Sequence, residues 1–173
     1  MPIKCSYIMR YLIILLGLAM SMSSYANDNP NYKAWTSYEN DSLLYLKENF
    51  DNNEYYVGKP INELLNDLEI KVRRADFMPN VWGDKKVDFA TLYFETDKVV
   101  SRAIIIERRG KSLLKLHVSF EPVDGSEYDS YDTSLKKARN NNEVNKDTKW
   151  EMFDKAFLRN RIITKMSVPD VVR

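Results

Sequence analysis

The sequence predicts an α+β protein, a two-layer sandwich in which a mostly antiparallel sheet is covered by amphipathic helices. Three observations carry this. Leu114, Leu116, Val118 and Phe120 alternate with Lys115, His117, Ser119 and Glu121, so one face of that strand is dry and the other wet. The segment is the last of three strand-like runs, Val87–Glu95, Val99–Arg108 and Leu113–Glu121, joined by Thr96-Asp97-Lys98 and Arg109-Gly110-Lys111-Ser112. Both connectors suit short turns, which predicts a central three-strand meander. Elsewhere apolar residues recur at three and four positions, the period of helices that bury one stripe.

The chain has 173 residues. Its start reads as a signal peptide over 1–26: Lys4 and Arg10, the apolar run Tyr11–Met20, then Ser24-Tyr25-Ala26 as a small-residue cleavage site. The run is too short for a transmembrane helix, which takes roughly 20 apolar residues, so no integral span is expected after processing. Residues 27–173 then form one domain, large enough to bury roughly two thirds of its extended-chain surface. The sole cysteine, Cys5, lies inside the signal, and an exported chain without disulfides fits a periplasmic or secreted protein held by its core. Removing Lys4 and Arg10 leaves 24 basic and 25 acidic side chains, a net charge of −1. That balance gives no electrostatic footprint for nucleic acid.

In order along the chain, Thr36-Ser37-Tyr38-Glu39 has a capping-box pattern, predicting a helix from Ser37 to Phe50 that buries Leu43, Leu46 and Phe50. Glu54–Val57 reads as a short strand. Ile61, Leu64, Leu65 and Leu68 form one face of a helix opened by Pro60. Glu69–Arg73 alternates as a further strand, and Met78 to Asp84 reads as a loop. In the middle strand of the meander, Ala103-Ile104-Ile105-Ile106 is apolar on both faces, as an interior strand would be. Asp124–Asp132 reads as an acidic loop, with a turn of helix at Leu135–Arg139. Trp150, Phe153, Phe157 and Leu158 mark a last helix, Lys149–Asn160, and Ile162–Val168 a closing strand stopped by Pro169.

Few residues carry chemistry. His117 is the only histidine and belongs to the wet face of its strand, without the nucleophile elbow of a triad. Zinc takes several Cys or His ligands, so no metal and no cofactor is expected. The candidate binding residues are Tyr128, Tyr131, Asp129 and Asp132. Their run carries five oxygen-bearing side chains, as a calcium loop would, but its glycine is second and no glutamate closes it at EF-hand spacing. A hydrated acidic loop fits better. Tyr128 and Tyr131 either anchor a protein partner or a glycan from an exposed position or pack back onto the sheet edge.

Tyr56-Val57-Gly58-Lys59-Pro60-Ile61 followed by Glu63–Leu68, with the Thr91–Phe94 strand, the Trp150…Phe157 helix and the Ile162-Ile163 strand, resembles small exported proteins of Bacteroides-type bacteria. That group has no assigned activity, so the resemblance implies a fold and a compartment and carries over no site residue. A looser likeness is to periplasmic inhibitory proteins and outer-membrane assembly lipoproteins. The expectation is an exported non-enzymatic binding module of inhibitor or immunity type. The alternatives are a carboxylate-dependent hydrolase of cell-envelope polymers and a structural envelope component.

Overall fold

The computed structural model describes residues 29–79, 86–96, 99–100, 102, 113–145 and 148–170. Contacts divide the chain into two compact units, Met1–Pro30 and Asn31–Arg173, and every helix and strand described belongs to the second. The signal segment and the Ala103–Ile106 run lie outside the described residues.

The protein is α+β, as its sequence predicts. Among the described residues four strands, β1 (Arg74–Pro79), β2 (Val87–Tyr93), β3 (Lys115–Val123) and β4 (Ile163–Ser167), pair in sequence order into one antiparallel sheet. Around it stand α1 (Ser42–Phe50), α2 (Ile61–Asp67), α3 (Gly125–Asn140), a π-helical turn (Trp150–Asp154) and α4 (Lys155–Leu158), with 3-10 turns at Trp35–Tyr38 and Glu54–Tyr56.

The alternation read in β3 holds. Leu116, Val118 and Phe120 are buried while Lys115, His117 and Ser119 are half-buried. The dry face carries Ala75, Ala90, Leu92, Leu116, Val118, Ile163 and Met166, and Tyr45, Leu46 and Phe50 of α1, Ile61 and Leu64 of α2, Trp150 and Leu158 pack into the same core. Each fully buried aliphatic side chain contributes roughly 1.5–3 kcal/mol of transfer free energy.

Several expectations are corrected. β2 and β3 are hydrogen-bonded neighbours, Ala90 opposite Val118, so no middle strand separates them. Val99, Val100 and Arg102 are helical, because the amides of Val99 and Val100 both turn back to the Thr96 carbonyl, at 2.9 and 3.0 Å. Val100 then packs with Leu113 against Tyr93. The first strand is Arg74–Pro79, one step beyond the alternating Glu69–Arg73. The predicted strand at Glu54–Val57 is a 3-10 turn, capped by the Asn53 side chain at the Tyr55 amide, 2.9 Å. The first helix starts at Ser42, because Glu39 and Asn40 take positive φ, 48° and 71°, and Asp41 caps the Leu44 amide at 2.9 Å.

The acidic loop is a helix. Gly125–Asn140 is continuous, capped by Asp124, whose carboxylate accepts from the Ser126 amide at 2.8 Å. Tyr128, Tyr131, Leu135 and Ala138 recur at i, i+3, i+7 and i+10 and give it a half-apolar face. Leu135 and Ala138 pack with Val144.

Candidate functional site

The most tightly assembled polar group is centred on Asp154, the last residue of the π turn, with none of its surface exposed. One carboxylate oxygen, Oδ1, accepts from the Tyr131 hydroxyl at 2.6 Å. The other, Oδ2, accepts from the backbone N–H of Ala75 at 3.2 Å and lies 3.1 Å from the Lys149 ammonium. Lys149 Nζ in turn donates to the Ala75 carbonyl at 3.0 Å. Burial raises the Asp154 carboxyl above the ordinary range, with Lys149 and Tyr131 opposing that rise. The Tyr131 hydroxyl is pushed up by burial and then by Asp154.

The π turn makes this pair. Lys149 and Asp154 are five residues apart, about 140° around an α-helix. The i→i+5 geometry of a π turn stacks them on one side, and its Lys155 N–H bonds back to the Trp150 carbonyl. The target is equally telling. β1 is at the edge of the sheet, and Ala75 N–H and C=O are the pair of groups an added strand would take. Asp154 and Lys149 take them instead, one side chain for each.

Of the four sequence candidates, Tyr131 serves this clamp. Its ring stands 4.8 Å from Phe157 and 5.3 Å from Phe77. Tyr128 is half-buried, 6.3 Å from Phe77 and 6.1 Å from Phe157. Phe77 belongs to β1, so both tyrosines pack back onto the sheet edge. Asp129 is exposed, and Asp132 pairs with Lys136 at 2.6 Å. Glu127 pairs with Arg161, whose guanidinium lies over Phe157. The five oxygen-bearing side chains of the run are therefore strung along a helix and do not converge. Among the described residues no group of three or more His, Cys, Asp or Glu is placed to hold a metal.

A second polar cluster escaped the sequence reading. The Tyr32 hydroxyl lies 2.7 Å from both the Asp67 carbonyl and Glu69 Oε1. The Tyr45 hydroxyl accepts from the Glu69 amide at 3.0 Å. Asn49 accepts from the Lys33 amide at 2.8 Å and donates to the Lys33 carbonyl at 3.1 Å. Together they strap the segment around Tyr32 to α1 and to the end of α2. The only early signal was the density of aromatics there.

Two open clefts flank Ile70 and Lys71. One, of about 320 Å³, has Leu65, Leu68 and Trp150 in its walls and Glu151 on its rim. The other, of about 310 Å³, is walled by Phe94, Leu114 and Arg73, with Glu95. Each presents a single carboxylate.

The face of the sheet away from the main core is organised in cross-strand rows, with Thr91 buried at its centre and Tyr93 packed against Val100 and Leu113. Asp76, Thr91, His117 and Ser167 are successive partners across all four strands. Arg74, Tyr93 and Lys115 form the row on one side, and Phe89, Ser119 and Lys165 the row on the other. The His117 ring lies 5.2 Å from Phe89, steeply inclined to it. Burial lowers the His117 imidazole below its usual value, and Lys115 adds to that. Asp, His and Ser on one row suggest a triad, but Thr91 stands between Asp76 and His117. Two strand spacings, roughly 9–10 Å, separate their backbones. Asp76 is gripped instead by Arg74, through bonds of 2.7 and 2.8 Å. No protein-family model, no curated protein and no solved structure matches the chain.

Proposed function

We propose that the chain is an exported, non-catalytic binding module. The observation that carries this reading is the employment of its buried acid. Asp154, a carboxyl that burial raises above its ordinary range, is closed off from solvent and bonded to the edge of a strand. A general acid or base has to reach a substrate proton, and Asp154 reaches backbone. Asp76 is held by Arg74 and stands two strands from the imidazole. Each of the two clefts beside Ile70 and Lys71 presents one carboxylate, Glu151 or Glu95. Export rests on the charged, apolar and small-residue succession over 1–26.

Two measurements test it. A fusion of residues 1–26 to a reporter enzyme active only outside the cytoplasm should give activity, and a silent fusion would remove the export half. The purified protein, incubated with peptidoglycan and envelope polysaccharides, should release no reducing ends above the blank. Release that vanishes in Glu151→Gln or Glu95→Gln, with unfolding unchanged, would replace the binding module with a hydrolase.

A further inference from the structure

Between α2 and β1 lies a stretch of backbone that nothing in the fold pairs. Residues 69–73 alternate as a strand would, but the chain bends at Ile70 and enters β1 only at Arg74. The Glu69 amide donates to the Tyr45 hydroxyl at 3.0 Å and the Arg73 amide to the Tyr93 carbonyl at 2.8 Å. Among the described residues no hydrogen bond reaches the N–H or C=O of Ile70, Lys71 or Val72. Val72 is 5% exposed, and the backbone groups of a buried residue are rarely left unpaired in a folded protein. The cleft of about 320 Å³ opens along this stretch, with Leu65, Leu68 and Trp150 in its walls. Of its charged groups, Lys71 and Glu151 answer each other at 3.8 Å. Lys155 is exposed and has no ion pair among the described residues.

We propose that residues 70–72 are the template for an added strand, an extended peptide segment of a partner protein, an inference that rests on the binding-module reading and names the partner's chemistry. Successive unpaired N–H and C=O groups take up another backbone. In that mode the main chain supplies affinity and pockets for alternate side chains supply specificity. Three residues span roughly 10 Å of strand, so the partner contributes a short segment. Its chemistry follows from the cleft. A peptide backbone presents donors and acceptors at the matching repeat, an aliphatic side chain fits against Leu65, Leu68 and Trp150, and a carboxylate makes a charge-assisted bond to Lys155. Glu151 is already engaged by Lys71. The clamp sets the limit. The π turn whose Asp154 closes Ala75 also places Trp150 and Glu151 in the cleft, so an added strand stops where the clamp begins and does not run on along β1.

NMR titration tests the inference, with an acetylated, amidated peptide that alternates valine and threonine and carries one glutamate. Its fully N-methylated form keeps the side chains and removes every backbone donor. The expected result is saturable binding of the first peptide, with shifted and more slowly exchanging amides at Ile70, Lys71 and Val72, and no binding of the second. Lys155→Glu should weaken binding roughly tenfold, the loss of one charge-assisted contact and the gain of a repulsion. Lys136→Glu, the same charge change on α3, should leave it unaltered, and both sites are exposed, so folding survives. No saturation up to the solubility of the peptide would overturn the inference. So would binding that leaves the amides of residues 70–72 unmoved, equal binding of the N-methylated form, or indifference to Lys155→Glu. A wild-type dimer on the ultracentrifuge that itself protects those amides would assign the template to a second copy of this chain and overturn the partner. These failures remove the added strand and leave the module, whereas release of reducing ends removes the module itself.

Discussion

Replacing Asp154 by alanine is the most searching perturbation of the fold. The carboxylate makes three contacts, to Ala75 N–H, the Tyr131 hydroxyl and Lys149. Its loss strands the Lys149 ammonium, whose side chain is 15% exposed. Breaking a buried ion pair from one side costs about 3–5 kcal/mol. An orphaned buried donor adds about 1–3 kcal/mol in isolation. The contacts share one network, however, and the alanine also relieves the burial cost that raises the Asp154 carboxyl. We therefore expect a total of about 3–5 kcal/mol, a large fraction of the 5–15 kcal/mol typical of a domain. Urea denaturation followed by fluorescence should show the midpoint falling with little change in slope. The double variant Asp154→Leu/Lys149→Met separates stability from edge protection. Apolar replacement of a buried pair is often neutral or stabilising, but it uncovers Ala75. That variant should fold and self-associate on the ultracentrifuge more strongly than wild type. A cost below about 1 kcal/mol for Asp154→Ala, the surface-pair range, would refute the reasoning.

Leu64 is fully buried and Leu65 half-buried, so Leu64→Ala should cost about 2–5 kcal/mol and Leu65→Ala distinctly less, measured by the same denaturation. Gly58 has φ +81° and open space where a Cβ would stand, so Gly58→Ala should cost about 1–2 kcal/mol by thermal unfolding, all of it conformational. Because its folded value is depressed, His117 takes up a proton more readily in the unfolded chain. Its contribution is present above the usual 6.5 and is lost as pH falls through that value toward the folded one. NMR titration should place its midpoint below 6.5, and wild type should lose more stability than His117→Asn on acidification.

Much of the sheet was legible because period-two burial is local. Val87–Tyr93 and Ile163–Ser167 fall inside predicted strands, and Lys115–Val123 overlaps the predicted Leu113–Glu121 and runs two residues past it. The acidic helix was misread because Ser, Asp and Thr compete for backbone groups and favour turns. Two signals outweigh them, the Asp124…Glu127 spacing of a capped N-terminus and the Tyr128–Ala138 stripe. Val99-Val100 looked like strand for the opposite reason: β-branched residues suit a pleat, but Thr96 starts a turn there. The clamp itself was hidden. Trp150, Phe153 and Phe157 fit an α-helical period, and only a π turn brings Lys149 beside Asp154. Its target, an edge amide, is set by strand order, which no local pattern encodes.

Amide hydrogen exchange at Ala75 tests most directly whether the buried acid guards the sheet rather than performing chemistry. Edge amides facing away from their partner strand normally exchange fast. Here the Ala75 amide should exchange slowly in wild type and rapidly in Asp154→Ala, under conditions where the central amides of β2 and β3 stay protected. An Ala75 amide that exchanges freely in the wild-type protein would contradict the account.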